Sequence, residues 1–85
     1  MLLAINIGNS SVELGVFGEE AQPKAVCTIG ADVGKTADEY AMQISSALSY
    51  KRLSFDAVTE AIIGSVVPAL TERIEKAVSE LFGVK

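Results

Sequence analysis

Apolar residues recur along this chain at two different spacings, and the switch between them divides it into strands and helices. Leu2-Leu3-Ala4-Ile5-Asn6-Ile7 is a nearly continuous apolar run closed by Gly8-Asn9, the form of a central strand covered on both faces. From Ser11 to Phe17 the apolar side chains Val12, Leu14 and Val16 alternate with Glu13 and Gly15, which predicts a second strand and, at this separation, a hairpin. A polar stretch from Gly18 to Gln22 leads through Pro23 to a third strand expected over Lys24 to Ile29, broken by Gly30 to Lys35.

The spacing then becomes helical. Thr36-Ala37-Asp38-Glu39 has the form of a capping box, and Ala37, Ala41, Ile44 and Leu48 follow on one stripe, predicting a helix over residues 37 to 50. Asp56 to Glu60 reads as a polar connection, and Ala61 to Val67 as a short β-branched strand. Pro68 suits a helical first turn, Leu70, Ile74, Ala77, Val78 and Leu81 line one face behind it, and Gly83 is placed to end that helix. The order is β-β-β-α-β-α. A meander followed by a helical crossover gives a mixed sheet with three antiparallel strands and a fourth parallel to the first, the crossover being right-handed. This is an α/β fold and most of one ribonuclease-H-like lobe, in a single domain over residues 1 to 85.

Composition narrows the functions open to such a fold. With 49% hydrophobic and 21% charged residues, the chain can build a core; at 85 residues that core is small and stability modest. A net charge of −4 without a Lys/Arg cluster argues against nucleic acid as a partner. The apolar N-terminus is short and lacks a basic leader, and no run approaches the roughly 18 apolar residues of a membrane span, so no membrane association and a cytoplasmic location are expected. Cys27 is the single cysteine and there is no histidine, which removes an intramolecular disulfide and a Cys/His zinc site; Cys27 reads as a small core residue. Glu13, Glu72 with Lys76, and Glu19-Glu20 read as surface charges on strand, helix and turn.

The first hairpin bend carries the most chemistry. Gly8 and Asn9 permit a tight backbone that exposes peptide N–H groups, and the hydroxyls of Ser10 and Ser11 add donors beside them, so a phosphate could dock there; the same residues also make an ordinary hairpin turn. Gly30 to Thr36 has the outline of a Walker A loop between strand and helix. The motif needs four residues between its glycines and this loop has three, with Ile29 where the first glycine belongs and no aspartate closing the later strand.

Three segments resemble one known family. Ala4-Ile5-Asn6-Ile7-Gly8-Asn9-Ser10-Ser11-Val12-Glu13-Leu14-Gly15-Val16-Phe17 is similar to the first motif of type III pantothenate kinases, which usually runs Asp-Ile-Gly-Asn-Thr-Asn before a Leu-Gly-Val-Phe-like strand. Lys35-Thr36-Ala37-Asp38-Glu39-Tyr40 resembles the family's Arg-Thr-Ala-Asp-Glu-Tyr, and Ser65-Val66-Val67-Pro68-Ala69-Leu70 its Ser-Val-Val-Pro-x-Leu. The resemblance covers essentially the whole chain and implies a member of the actin, Hsp70 and sugar-kinase superfamily. It implies transfer of the γ-phosphate of ATP to pantothenate at the start of coenzyme A synthesis, with Mg²⁺ and a monovalent cation as cofactors. It places the nucleotide phosphates on Asn6, Ile7, Gly8, Asn9, Ser10, Ser11, Val12 and Glu13, centred on Gly8, Asn9 and Ser10, and assigns no catalytic or metal-ligating residue. The segments at 36–40 and 65–70 read mainly as structural, a helix cap and a strand-to-helix turn.

Two departures bear on activity. Asn6 stands where the family has a metal-organising aspartate; an amide brings no negative charge to Mg²⁺ and cannot act as a base. The family's Gly-Ala-Asp-Arg segment, with its proposed general base, does not occur in these residues, nor do the second phosphate loop and adenosine site. The expectation is an N-terminal lobe without a second lobe, inactive alone. The alternative is a non-catalytic interaction module of the same fold, pairing with a second copy or a complementing lobe through the strand at 61–67, whose apolar sequence lacks the lysine or proline that protects a sheet edge.

Overall fold

The computed structural model describes residues 1–83. Its elements are β1 (Leu2–Ile7), β2 (Ser11–Phe17), β3 (Ala25–Gly30), α1 (Ala37–Tyr50), β4 (Glu60–Ser65) and α2 (Pro68–Phe82), with a single 3₁₀ turn at Phe55–Ala57. The sheet order is β3-β2-β1-β4; β1 pairs antiparallel with β2 and parallel with β4, and β2 pairs antiparallel with β3. The β-β-β-α-β-α order and mixed sheet expected of a ribonuclease-H-like lobe are therefore present.

Period two in the strands and a helical stripe in the helices meet in one core. Leu3, Ile5 and Ile7 of β1 and Val12, Leu14 and Val16 of β2 are buried together with Tyr40, Ile44, Ala47 and Leu48 of α1 and Leu70, Ile74, Ala77 and Val78 of α2. Each Val, Leu or Ile side chain among them contributes about 1.5–3 kcal/mol when fully buried. Cys27 is half-buried against this core with a free thiol, as its apolar setting suggested.

The opposite face of the sheet corrects the expectation that β1 is covered on both sides. Both helices share the face just described, so on the other face Leu2 and Ala4 are only half-buried and Asn6 is exposed. Val26 and Ile62, which point the same way, are 51% and 60% exposed.

The boundaries of two strands also move, β3 running on through Gly30 instead of breaking after Ile29. β3 starts at Ala25 and not Lys24, although the Lys24 N–H still donates to the Val16 carbonyl at 2.7 Å. β4 begins one residue early, at Glu60, and ends at Ser65 instead of Val67. The Ser65 hydroxyl explains the early end: its Oγ accepts from the Val67 N–H at 2.9 Å and donates to the Val67 carbonyl at 3.1 Å, turning the chain into α2. Only the Val66 N–H continues toward β1, donating to Ile7 O at 3.1 Å.

The helix ends follow local chemistry. Thr36 Oγ1 accepts from the Glu39 N–H at 3.1 Å while the Thr36 N–H donates to Glu39 Oε1 at 3.0 Å, completing the capping box. α1 ends with Arg52 at φ 60°, and the Leu53 N–H reaches back to Leu48 O at 2.9 Å. α2 ends on Gly83 at φ 69°, where glycine carries no steric penalty.

Candidate functional site

The carboxyl ends of β1, β3 and β4 and the first turns of α1 and α2 lie at the end of the sheet that holds the β1–β2 bend. In open α/β sheets this is where ligands bind. The bend is tight because the Gly8 N–H donates to Ser11 O at 2.9 Å. A side chain at residue 8 would place its Cβ 3.3 Å from that same oxygen, so close approach, and not a positive φ, is what favours glycine.

Asn9 and Ser10 are exposed at the tip. Their N–H groups and the Ser10 and Ser11 hydroxyls have no hydrogen-bond partner among the described residues, so the tip presents donors outward. The Ser10 carbonyl accepts from the Ala31 N–H at 3.1 Å, which ties the bend to the loop between β3 and α1. Of the other residues in the segment, Ile7 and Val12 are fully buried in the helix-side core and offer no side chain to this surface. Asn6 and Glu13 are exposed on the open face.

The loop beside the bend is fixed at several points. Tyr40, fully buried, places its hydroxyl where it donates to Asp32 O and accepts from the Asp32 N–H, both at 2.9 Å. Asp32 Oδ1 accepts from the Gly34 N–H at 2.7 Å. Arg73 reaches from α2 to the carbonyls of Val33 and Lys35. Lys35 Nζ donates to Gly30 O at 2.8 Å and Gln43 Oε1 at 2.9 Å and lies 5.1 Å from the Tyr40 ring centre. The lysine is thus folded back onto its own loop rather than held over an anion, in keeping with the failed Walker A count. The helix cap at 36–40 and the serine turn at 65–68 have the structural roles their sequences suggested, and Tyr40 adds a clamp.

On the open face, strand register lines up one row beside the bend: Thr28, Glu13, Asn6 and Gly64 are successive cross-strand partners. The next row is Val26, Gly15, Ala4 and Ile62. Small residues in the middle and larger ones at the sides leave a depression of about 370 Å³ that includes Asn6, Glu13, Val26, Ile62 and Gly64.

The family model for type III pantothenate kinases matches residues 2–85. The chain belongs to this family. It is 42% identical over its whole length to a type III pantothenate kinase of Finegoldia magna, covering 32% of that protein. It is 43% identical over 76 residues, 89% of the chain, to that of Shouchella clausii, covering 30% of it, and 35% identical over its whole length to that of Geotalea uraniireducens, covering 33%. The chain therefore spans about a third of the length of these relatives.

For a type III pantothenate kinase the resemblance implies a metal–nucleotide complex, and the donors on the open face can be weighed against it. Among the described residues no three Asp, Glu, His or Cys side chains converge, so there is no all-protein cage. Mg²⁺ does not require one: it keeps several waters and takes one or two carboxylates plus substrate phosphates. One carboxylate, Glu13, beside one amide oxygen, Asn6, fits that chemistry. A Cβ at Gly64 would make only an ordinary contact, 3.9 Å from Asn6 Oδ1. Sequence alternation alone left Glu13 an outward surface charge; only the strand register reveals which residue it stands beside.

Among the described residues no helix is long and apolar enough to cross a membrane. The outer edge of β4 is flanked by a second open groove of about 580 Å³, formed by Ala61 and Ile63 with Glu72, Glu75, Lys76, Val78 and Ser79 of α2.

Proposed function

We propose that this chain is the phosphate-binding lobe of an ATP-dependent pantothenate-phosphorylating enzyme of cytoplasmic coenzyme A synthesis, and that residues 1–85 alone do not turn over substrate. One observation carries the reading: at the carboxyl end of the sheet the bend presents the Asn9 and Ser10 N–H groups and the Ser10 and Ser11 hydroxyls, which have no partner among the described residues, backed by a loop that Tyr40 and Arg73 hold in place. Such a set of neighbouring donors suits phosphate oxygens. Family membership supplies the identity of the nucleotide and of the acceptor. Inactivity follows from chemistry: Asn6 offers no base and no second charge for the metal, and an open face cannot exclude water from a transferring phosphoryl group.

Calorimetry of the purified chain with ATP·Mg²⁺ is expected to give weak binding that Gly8→Val removes by pushing a branched side chain toward Ser11 O, while a coupled assay with ATP and pantothenate gives no turnover. Absence of binding would refute the phosphate reading, and sustained turnover would refute the inactivity.

A second reading rests on β4. Its outer edge and the adjoining groove are open, and no lysine or interior proline protects the strand. A further strand, from a second copy or a complementing lobe, would satisfy its free backbone groups, which makes a pairing module the alternative to a nucleotide site.

A further inference from the structure

We propose that the outward ridge of α1 is an interaction surface, on which α1 of a second copy of this chain packs antiparallel. The inference is independent of the phosphate reading, and the surface lies at the β3 side of the sheet, away from β4. Asp38, Met42, Ser46 and Tyr50 follow one another at intervals of four residues, so they form a single ridge along the helix, and all four are exposed. Met42 is 64% exposed, and Tyr50, at 78%, is the most exposed large hydrophobic side chain among the described residues. Beside the ridge an open groove of about 510 Å³ runs between α1 and β3, with Cys27 and Ile29 half-buried along it.

The ridge is complementary to itself when reversed. Met42 and Tyr50 lie four residues to either side of Ser46, so a two-fold axis at Ser46 sets Met42 of each copy against the partner's Tyr50. The small serine lets the helices approach at the axis, a thioether against an aromatic ring is a favourable contact, and each Tyr50 ring can enter the groove of the facing copy. Charge selects the same arrangement. α1 opens on Asp38 and Glu39 and is followed by Lys51 and Arg52, all exposed, so antiparallel packing brings the acidic end of each helix to the basic end of the other and opposes the two helix dipoles. An added strand is a poorer occupant on this side, because Lys35 Nζ donates to Gly30 O at 2.8 Å and guards the end of β3 with a lysine that β4 lacks. A contact centred on one helix face falls below the roughly 1,200–2,000 Å² of stable interfaces, so the association is weak and emerges at high concentration.

Sedimentation velocity of the purified chain at rising concentration tests the surface, with circular dichroism to show that each variant is folded. A concentration-dependent shift from monomer toward dimer is expected. Tyr50→Ala should weaken it about tenfold by removing the ring, and Ser46→Lys by at least as much, since it brings two like charges together at the axis. Ile62→Lys, on the open face of β4, should leave it unchanged. Asp38→Lys and Lys51→Glu should each weaken association, and the double variant, with the two charges exchanged, should recover it; a change that only loosened the helix would not be rescued in this way. A chain that stays monomeric at millimolar concentration would overturn the proposal, as would association that either Tyr50→Ala or Ser46→Lys leaves unchanged. Association lost in Ile62→Lys would assign the contact to β4 and overturn it equally.

Discussion

Tyr40 carries two roles that its sequence position did not separate. The α1 stripe read from spacing was Ala37, Ala41, Ile44 and Leu48, yet the buried residues are Tyr40, Ile44, Ala47 and Leu48, with Ala37 and Ala41 only half-buried. A buried aromatic ring reaches further into the core than an alanine methyl, so it turns the helix toward its own side. Its hydroxyl then finds Asp32 at the protein surface. Tyr40→Phe keeps the ring and loses the clamp; a cost of about 1 kcal/mol in urea unfolding is expected, with faster amide exchange at Asp32 to Gly34. Arg52 offers the opposite case. It holds a left-handed backbone at φ 60° without glycine, and nothing in its neighbourhood marks that in the sequence. Arg52→Gly should stabilise the chain by about 1 kcal/mol in the same measurement, and a loss of stability would show that the Arg52 side chain makes up for the backbone strain.

Among the elements, those with their own local chemistry were the most legible. Thr36 and Glu39 announce the start of α1 because a capping box is built from residues three apart, and Pro68 and Gly83 bracket α2 for the same reason. Thr36→Ala is expected to cost about 1 kcal/mol, read as a lowered thermal midpoint. The end of β4 was less legible because Val66 and Val67 look like strand residues; the Ser65 hydroxyl takes the Val67 N–H and turns the chain toward α2. The open face of β1 was illegible for a different reason. Leu2 and Ala4 are apolar whether a layer covers them or not, so an apolar run does not state how many layers a sheet has. The exposed side of β4 has the same ambiguity, and it leads to a prediction about association. If β4 pairs with a second copy, light scattering at high concentration will show self-association that Ile62→Lys reduces, since a charge there opposes edge pairing without entering the helix-side core. A strictly monomeric wild-type chain would count against pairing between copies.

For the molecule as a whole, the sheet has two unlike faces. One is closed by α1 and α2 over a single core; the other is open, polar near the bend and apolar further along. The order of elements and the family could be read from the chain because three motifs fall at the right separations on a simple alternation of strands and helices. The site was only half readable. Gly8 to Ser11 are contiguous and visible as a motif, whereas the row Thr28, Glu13, Asn6 and Gly64 exists only once four strands are in register. Both parts of the account meet at the bend, and an NMR titration of the purified chain with ATP·Mg²⁺ tests it most directly. Amide shifts confined to Gly8, Asn9, Ser10 and the row beside them, unaltered by pantothenate, are predicted. A spectrum unchanged up to millimolar nucleotide, or shifts centred on the groove beside β4, would contradict it.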